Sequence, residues 1–204
     1  MLFEKMPSLQ KLLELGRSIP YVPSKHLYRL VEYLLHKDKS EISIFIAELL
    51  SLKENIFLCD NCYCWKEKDE DCIWCSKEKD QKILCIVETW IDAISLERAN
   101  IFQGVYHILG GNLSPLDGIT HEQLYFARLI ERIQELPLEE IIIGTNQTPE
   151  GEATASYIEK IVQKYKPSIT ISYLATGIPV GSSLAYVDRL TLGKAISYRR
   201  RLIK

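Results

Sequence analysis

The chain lacks two features that would place it in a class directly, a strong net charge and a long apolar run, and we expect no secretory leader. Its 204 residues carry a formal net charge of −2, which excludes a protein that is basic throughout and coats nucleic acid. No apolar run is long enough to span a bilayer, and residues 1–7 are too charged for a signal peptide. We therefore expect a cytoplasmic protein with reduced thiols.

The charges that are present are unevenly distributed. Lysine and arginine outnumber acidic residues before residue 40, whereas glutamate and aspartate predominate between Glu88 and Glu152. Such an asymmetry indicates two surfaces that bind different partners.

Four of the six cysteines form two Cys-x-x-Cys pairs, Cys59 with Cys62 and Cys72 with Cys75. Each pair places two thiolates on a tight turn, and two such turns can close a tetrahedron around one Zn²⁺ ion. The charged segment between the pairs is too small to form its own core, so the metal would be structural. Two disulfides or a chance arrangement are the alternatives, and the spacing and the expected absence of a leader favour zinc. Cys64 lies outside both pairs and is predicted to be a spare thiol.

The chain before the cysteines has the apolar spacing of three helices, which are predicted to begin near Ser8, Ser24 and Ser40. The second helix places Lys25 and Arg29 near its N-terminus, away from its apolar stripe. A cation pair at a helix N-terminus can contact phosphate, although a solvated face is the alternative. The apolar residues of the third helix are expected to face inward, namely Ile42, Phe45, Ile46, Leu49 and Leu50.

After the cysteines, short apolar runs alternate with helical segments. The pattern predicts strands at residues 83–87, 105–109, 141–143 and 169–173, with helices that begin near Thr89, Thr120 and Gly151. This alternation is typical of a parallel sheet with helices on both faces, so the fold class is α/β. Ligands of such sheets bind at the carboxyl ends of the strands.

Two motifs fall at those carboxyl ends, Glu88 after the first strand and residues 146–153 after the third. Here the sequence resembles a Toprim domain, the module of topoisomerases, primases and some nucleases. Catalytic members use a glutamate, which Glu88 matches, and an Asp-x-Asp pair that holds Mg²⁺. Asn146 and Thr148 stand at the two aspartate positions, and neutral side chains hold Mg²⁺ poorly. The resemblance therefore implies a Toprim fold without its metal chemistry.

Over nearly its whole length, the sequence resembles the RecR family of bacterial recombination mediators. The features occur in the family's order: a helical hairpin, the four-cysteine motif, a Toprim body, the loop 113–118 and the segment 177–181. The resemblance implies a helix-hairpin-helix-like region (1–54), a four-cysteine zinc finger (55–80), a Toprim domain (81–176) and a C-terminal helical segment (177–204).

The hairpin departs from the family's pattern. Tyr21 and Pro23 stand where the family has glycines, and Ser24 replaces a proline. Glycine lets a backbone approach phosphate closely, so the replacement of these glycines weakens the prediction that the hairpin backbone contacts DNA. Lys25 and Arg29 still match the family's basic pair, and they are the predicted DNA-binding residues.

The resemblance also implies the function. Family members are not enzymes; they form rings, commonly tetramers, that can encircle DNA. They act with RecO or RecF to help load the recombinase RecA on gapped DNA or on DNA coated by single-strand-binding protein. We accordingly expect one structural Zn²⁺ per chain, self-association, and a nucleoid-associated location in the cytoplasm.

The acidic residues at the carboxyl edge of the sheet carry a further prediction. Glu88, Glu150 and Glu152 each follow a strand closely, so they are expected to gather there. Clustered carboxylates repel phosphate and favour a basic partner protein, RecO by resemblance. The alternative function is a metal-dependent Toprim nuclease or primase that uses these glutamates without the aspartates.

Overall fold

The computed structural model describes residues 5–199 of the chain. Residues 1–4 and 200–204, which belong to the predicted first and last segments, lie outside the described residues. The chain divides into two compact units, Met1–Ile56 and Phe57–Lys204. The first unit contains α1 (Pro7–Arg17), α2 (Ser24–Leu35) and α3 (Lys39–Asn55).

The helices α1 and α2 form a hairpin around a small apolar core. Leu13 of α1 packs with Leu27 and Val31 of α2, and all three are buried. Gly16 allows this close packing, because a Cβ at that position would lie 2.4 Å from a methyl carbon of Leu27. The apolar spacing therefore predicted the hairpin correctly.

The helix starts differ slightly from the prediction. Neither Ser8 nor Ser24 caps its helix: α1 begins at Pro7, and Ser24 is the first residue of α2 after Pro23 at the cap position. Proline is favoured at the first helical position because it has no N–H group to satisfy. The start of α3 is fixed instead by Asp38 and Glu41, which form a capping box.

The prediction that the apolar residues of α3 face inward is wrong. No residue of α3 is buried, and the side chains of Phe45 and Leu49 are 53% and 51% exposed. Ile46 and Leu50 are likewise exposed, and Ile42 is only half-buried. Helical spacing shows that apolar residues share a face, but it does not say what covers that face. Within residues 5–199, nothing buries it.

The second unit contains a parallel sheet with the strand order β4-β3-β5-β6. Its strands are β3 (Asp80–Val87), β4 (Gly104–Ile108), β5 (Glu140–Gly144) and β6 (Thr170–Tyr173). Each neighbouring pair is parallel, as the alternation of strands and helices predicted. The helices are α4 (Trp90–Arg98), α5 (Phe126–Glu135), α6 (Pro149–Tyr165) and α7 (Arg189–Ser197), and a small second sheet pairs β1 (Ile56–Leu58) with β2 (Trp65–Glu67).

Both faces of the parallel sheet are covered, which explains why its strands are continuously apolar. Leu84 and Ile86 of β3 point to one face, where they pack with apolar residues of α5 and α6. Cys85 and Val87 point to the other face, where they pack with α4 and with the four-cysteine segment. One strand thus supplies side chains to two cores.

The four-cysteine segment also covers the free edge of the sheet at β4. The backbone N–H of Tyr106 donates to the carbonyl of Trp74 at 3.0 Å, and that of Ile108 donates to the carbonyl of Cys62 at 2.9 Å. An exposed strand edge is prone to pair with other chains. The segment satisfies the edge of β4 and joins the four cysteines to the sheet.

The helix predicted to begin near Thr120 begins only at Phe126. Residues 121–125 form turns, and the N–H of Thr120 before them donates to the side chain of Gln123 at 2.8 Å. The N–H of Tyr125 donates to the carbonyl of Leu109 and ties this segment to the end of β4. The two residues of that contact are far apart in the chain, so local sequence could not predict that the helix begins at Phe126 and not near Thr120. No helix within residues 5–199 combines the length and apolar character needed to cross a membrane.

Candidate functional site

The four cysteines of the two Cys-x-x-Cys pairs come together at one point. Their sulfur atoms lie within 4.8 Å of one another, with 3.7 Å between Cys59 and Cys75 and 3.5 Å between Cys62 and Cys72. A tetrahedral ion with metal–sulfur bonds of about 2.3 Å separates its ligands by about 3.8 Å. The four cysteines are therefore positioned to bind a metal ion. All six cysteines of the chain are free, so the disulfide alternative does not apply.

Cys64 does not belong to this cluster, although it is fully buried beside it. Its carbonyl accepts a hydrogen bond from the N–H of Cys59 at 2.8 Å, which closes the turn that carries the first pair. Cys64 therefore supports the geometry of the turn through its backbone.

The proximity of the four thiols sets their protonation. Hydrogen bonding to Cys59 raises the pKa of Cys62, Cys72 and Cys75. In turn, hydrogen bonds from its neighbours, Cys62 first, lower the pKa of Cys59. The four sulfurs therefore cannot all lose their protons unless a positive ion balances their charge. Because thiolates are the metal ligands, those protons must leave when a metal binds, and metal affinity should fall as the pH falls.

At the carboxyl edge of the sheet, Glu88 is buried and its carboxylate is fully engaged. The side chain is 2% exposed. Its Oε1 accepts from the backbone N–H of Asn146 at 2.7 Å, and its Oε2 accepts from the side-chain amides of Asn146 at 2.8 Å and Asn112 at 3.1 Å. Gly151 packs so closely that a Cβ there would lie 2.0 Å from the Asn146 carbonyl oxygen and 3.0 Å from Glu88 Oε1. Neutral amides surround this glutamate.

The other residues of this edge lie at the start of α6. The hydroxyl of Thr148 accepts from the N–H of Gly151 at 3.1 Å and caps the helix. Glu150 is half-buried, whereas Glu152 is exposed. The carboxylate of Glu152 accepts from the ammonium of Lys194 on α7 at 2.9 Å. The structure therefore brings the three predicted glutamates to one edge, but only Glu150 and Glu152 have accessible side chains.

A cleft of about 550 Å³ adjoins these residues. Its walls come from the carboxyl ends of β5 and β6 and from α7, and they include Thr145, Tyr173, Lys194 and Tyr198. This position agrees with the rule that open α/β sheets bind ligands beyond the carboxyl ends of their strands.

The predicted DNA-binding residues lie on the hairpin of the first unit. Lys25 and Arg29 are both exposed on α2, and no acidic residue lies in the first turn of that helix. Tyr21 in the connecting turn is fully exposed and has a φ of 63°. That left-handed conformation is the one glycine adopts easily, so the turn retains a glycine-type backbone without glycine. DNA contact by Lys25 and Arg29 stays a prediction.

Sequence reasoning missed several residues of these sites. Asn112 bonds to Glu88 from a loop 24 residues away, and Lys194 reaches the sheet edge from α7. Arg132 is buried beside the four-cysteine segment. For Arg132 a signal existed, because an arginine on the apolar face of an amphipathic helix indicates a buried charge. For Asn112 and Lys194 the sequence holds no local signal.

Comparisons with known proteins agree with this architecture. The family model of the Toprim domain matches residues 82–175, and the model described as RecR, C-terminal matches residues 177–200. The recombination protein RecR of Magnetococcus marinus is 39% identical over 198 residues, which cover 97% of this chain and 98% of the relative. That of Citrifermentans bemidjiense is 41% identical over 195 residues, or 96% and 97% of the two chains. That of Tropheryma whipplei is 35% identical over 188 residues, or 92% and 93%.

Proposed function

This chain belongs to the RecR family of recombination proteins, and on that premise we propose that it is a non-catalytic mediator of recombination repair. In this proposal it contacts DNA and docks RecO or RecF, and the assembly helps to load RecA on gapped DNA or on DNA coated by single-strand-binding protein. Membership of the family supports the role in recombination repair. The proposed contacts with DNA and with RecO or RecF rest on the sites described above.

The observation that supports the non-catalytic role is that the carboxylate of Glu88 is already hydrogen-bonded to protein groups. Three N–H groups of Asn146 and Asn112 already donate to its carboxylate. A general base or a Mg²⁺ ligand needs an accessible oxygen lone pair, a general acid needs a proton that can reach the substrate, and Mg²⁺ further needs carboxylates beside it. Asn146 and Thr148 offer none, which argues against the alternative of a metal-dependent nuclease or primase. A Mg²⁺-dependent cleavage assay on single-stranded and duplex DNA tests this, and we expect no cleavage.

Zinc is the ion that we propose for the four-cysteine site. Four thiolates with no open coordination position are typical of structural zinc, and the sulfur separations fit a tetrahedral ion of that size. Metal analysis of the purified chain should return one zinc per chain.

We propose that the accessible acids of the sheet edge, Glu150 and Glu152, dock the partner protein. They begin α6 beside a cleft of about 550 Å³, and the charge of the edge favours a basic partner over DNA. Lys194 pairs with Glu152 in the free chain, so a partner would compete with this ion pair.

We also propose that the chain assembles into rings of identical copies. The exposed apolar residues of α3 support this, because a contiguous apolar surface on a helix indicates an interface. Ring closure would bring several copies of Lys25 and Arg29 onto one DNA molecule, and repeated weak contacts raise the overall affinity.

The experiment that tests the DNA-binding role measures affinity against salt concentration for the double variant Lys25→Ala/Arg29→Ala. We expect weaker binding to all sequences, and the slope of log affinity against log salt should flatten by roughly 1 to 2, because fewer counterions are released. The matched control is Lys160→Ala/Lys164→Ala, an exposed pair with the same spacing on α6. Unchanged affinity and slope for the first variant would place the DNA contact elsewhere.

A further inference from the structure

Helix α5 directs two arginines, one turn apart, toward the four-cysteine site. Arg132 is 1% exposed. Its Nη1 donates to the carbonyl of Tyr106 at 2.6 Å and lies 3.3 Å from Nδ1 of His107. Its Nε and Nη2 are buried and have no hydrogen-bond partner among residues 5–199. No carboxylate of the described residues forms an ion pair with it, so this buried cation lacks a conventional counter-charge.

The surroundings of Arg132 identify the group that can supply that charge. Tyr106, whose carbonyl it contacts, is hydrogen-bonded through its N–H to Trp74, and Ile108 is bonded to Cys62. Arg132 therefore lies where the edge of β4 meets both cysteine turns. Burial lowers the pKa of Arg132, while the sulfurs of Cys62, Cys75 and Cys59 raise it. Four thiolates around a divalent ion leave an excess of about two negative charges, which is of the sign that Arg132 needs.

Arg128 reaches the same site through a neighbour. Its Nη2 donates to the side-chain oxygen of Asn61 at 2.8 Å, and this bond fixes the orientation of the amide. The amide nitrogen of Asn61 then donates to the sulfur of Cys75 at 3.4 Å. Hydrogen bonds to a coordinating sulfur spread its negative charge and hold the ligand in place. Arg128 also pairs with Glu131 and Glu135 of its own helix, which hold the guanidinium in position.

We propose that Arg132 is the counter-charge of the metal–thiolate centre and that Arg128, acting through Asn61, completes the hydrogen bonding of Cys75. Helix α5 of the Toprim body is then part of the metal site, although all four ligands lie in the cysteine segment. The metal-loaded centre compensates a buried arginine that the metal-free protein leaves unpaired. This inference rests on the proposed metal site and is independent of the DNA-binding and partner-docking roles.

The test separates a charge-compensating role from a purely structural one. The full-length chain is purified as wild type, Arg132→Met, Arg132→Lys and the control Arg98→Met, which removes an exposed arginine at the end of α4. Zinc affinity is measured by competition with a chelator, and the melting temperature is measured with and without zinc. We expect Arg132→Met to bind zinc about 10- to 100-fold more weakly. Its metal-free melting temperature should not fall, because the variant removes an uncompensated buried charge.

The companion variants make the result specific. Arg132→Lys keeps the charge and should recover much of the zinc affinity, whereas Arg98→Met should match the wild type. Asn61→Leu should shift the sulfur-to-metal absorption of the Co²⁺-loaded protein, because it removes the N–H···S bond to Cys75. A merely structural Arg132 gives the opposite pattern, with a lower metal-free melting temperature and unchanged zinc affinity.

Each remaining outcome also either supports or overturns the proposal. If Arg132→Met does not fold, Arg132→Lys carries the test, and a zinc affinity as weak as that of a cysteine-ligand variant would overturn the proposal. An unchanged Co²⁺ spectrum for Asn61→Leu would overturn the part assigned to Arg128 and Asn61. If the wild type itself binds no zinc, the metal site and this inference fail together, whereas wild-type binding with an unaffected Arg132→Met overturns this inference alone.

Discussion

At the scale of single residues, Asn146 determines what the Toprim edge can do. Its amide and its backbone N–H both donate to Glu88, so the buried carboxylate is satisfied without a cation. An aspartate at the same position would present a second acceptor and a second negative charge to Glu88. The pair would then need a metal ion or a proton. The exchange of one amide for a carboxylate is therefore expected to decide whether this edge needs a cation.

We therefore predict that Asn146→Asp lowers the free energy of unfolding by about 1–3 kcal/mol in Mg²⁺-free buffer, because Glu88 loses a donor and gains a like charge. Millimolar MgCl₂ should recover part of the loss, since a ligand that binds the folded state stabilises it. Urea unfolding with and without MgCl₂ measures both effects. Asn100→Asp is the control, because it adds the same charge at a residue with a left-handed backbone that aspartate tolerates. Equal stability of Asn146→Asp and wild type without Mg²⁺ would contradict the prediction.

His107 shows a second residue-scale effect, on the dependence of stability on pH. Its Nε2 lies 3.1 Å from the carbonyl of Tyr125, and its Nδ1 faces the guanidinium of Arg132. A carbonyl only accepts and a guanidinium only donates, so Nε2 carries the proton and Nδ1 is bare. Burial lowers the pKa of His107 to about 3, with the charge of Arg132 as the second cause and that of Arg128 as a smaller one.

This depressed pKa predicts a loss of stability in acid. Between the ordinary histidine pKa of about 6.5 and the folded-state value, the unfolded chain binds a proton that the folded chain does not. Stability should therefore fall by about 1.4 kcal/mol per pH unit as the pH decreases through that window. His107→Gln keeps one donor and one acceptor, so it should lack this contribution. Urea unfolding of both proteins in zinc-containing buffers over the window measures the difference in slope, and parallel curves would argue against a neutral buried His107.

At the scale of elements, the start of α6 joins several features in one turn. Thr148 caps the helix, Gly151 packs against Asn146 and Glu88 beyond the strand ends, and Glu150 and Glu152 lie in the first turn. Acidic residues are favoured there because they interact with the positive end of the helix dipole. This helix-dipole preference alone would explain the two glutamates. A partner-docking role therefore needs a test that distinguishes it from helix stabilisation.

We predict that Glu150→Lys/Glu152→Lys abolishes binding of RecO or RecF while zinc content and free DNA affinity stay close to wild type. The stability cost should be small, about 0.3–1 kcal/mol for each charge near the helix N-terminus. Isothermal titration calorimetry with each purified partner measures the dissociation constant. Glu67→Lys/Glu70→Lys reverses the same charge on the exposed surface of the four-cysteine segment and serves as the control. If the dissociation constant of Glu150→Lys/Glu152→Lys is unchanged, the partner docks at another surface.

At the scale of the whole molecule, the two units contrast in how they bury apolar surface. The sheet of the second unit is packed on both faces, whereas α3 of the first unit leaves large apolar side chains exposed. A monomer rarely exposes so much apolar surface on one helix unless it is an interface. Another copy of the chain is the occupant that we propose for it.

The corresponding prediction concerns oligomeric state. Phe45→Glu/Leu49→Glu places two charges one turn apart on α3 and should shift the protein toward smaller species in sedimentation velocity. Because both side chains are about half exposed in the free chain, the melting temperature of the dissociated protein should change little. Ile101→Glu, at a residue that is 84% exposed in the other unit, is the control. If the wild type sediments as a monomer at all concentrations, α3 does not mediate self-association.

Features that depend on local spacing followed from the residue pattern alone. The two Cys-x-x-Cys pairs, the apolar runs of β3, β4 and β5, and the helical hairpin were each predictable, because turns, strands and helices repeat over a few residues. The loss of the Toprim aspartates was also readable, since it is a matter of residue identity at a motif.

The folded structure was needed to show which of these residues are accessible and what they contact. Glu88 is buried by amides from two distant loops, Arg132 lies beside cysteines from another segment, and α3 is apolar without being covered. Each of these outcomes depends on contacts between residues far apart in the chain. Apolar spacing specifies which side chains share a face, but burial is set by what packs on that face, and this depends on the arrangement of the whole fold.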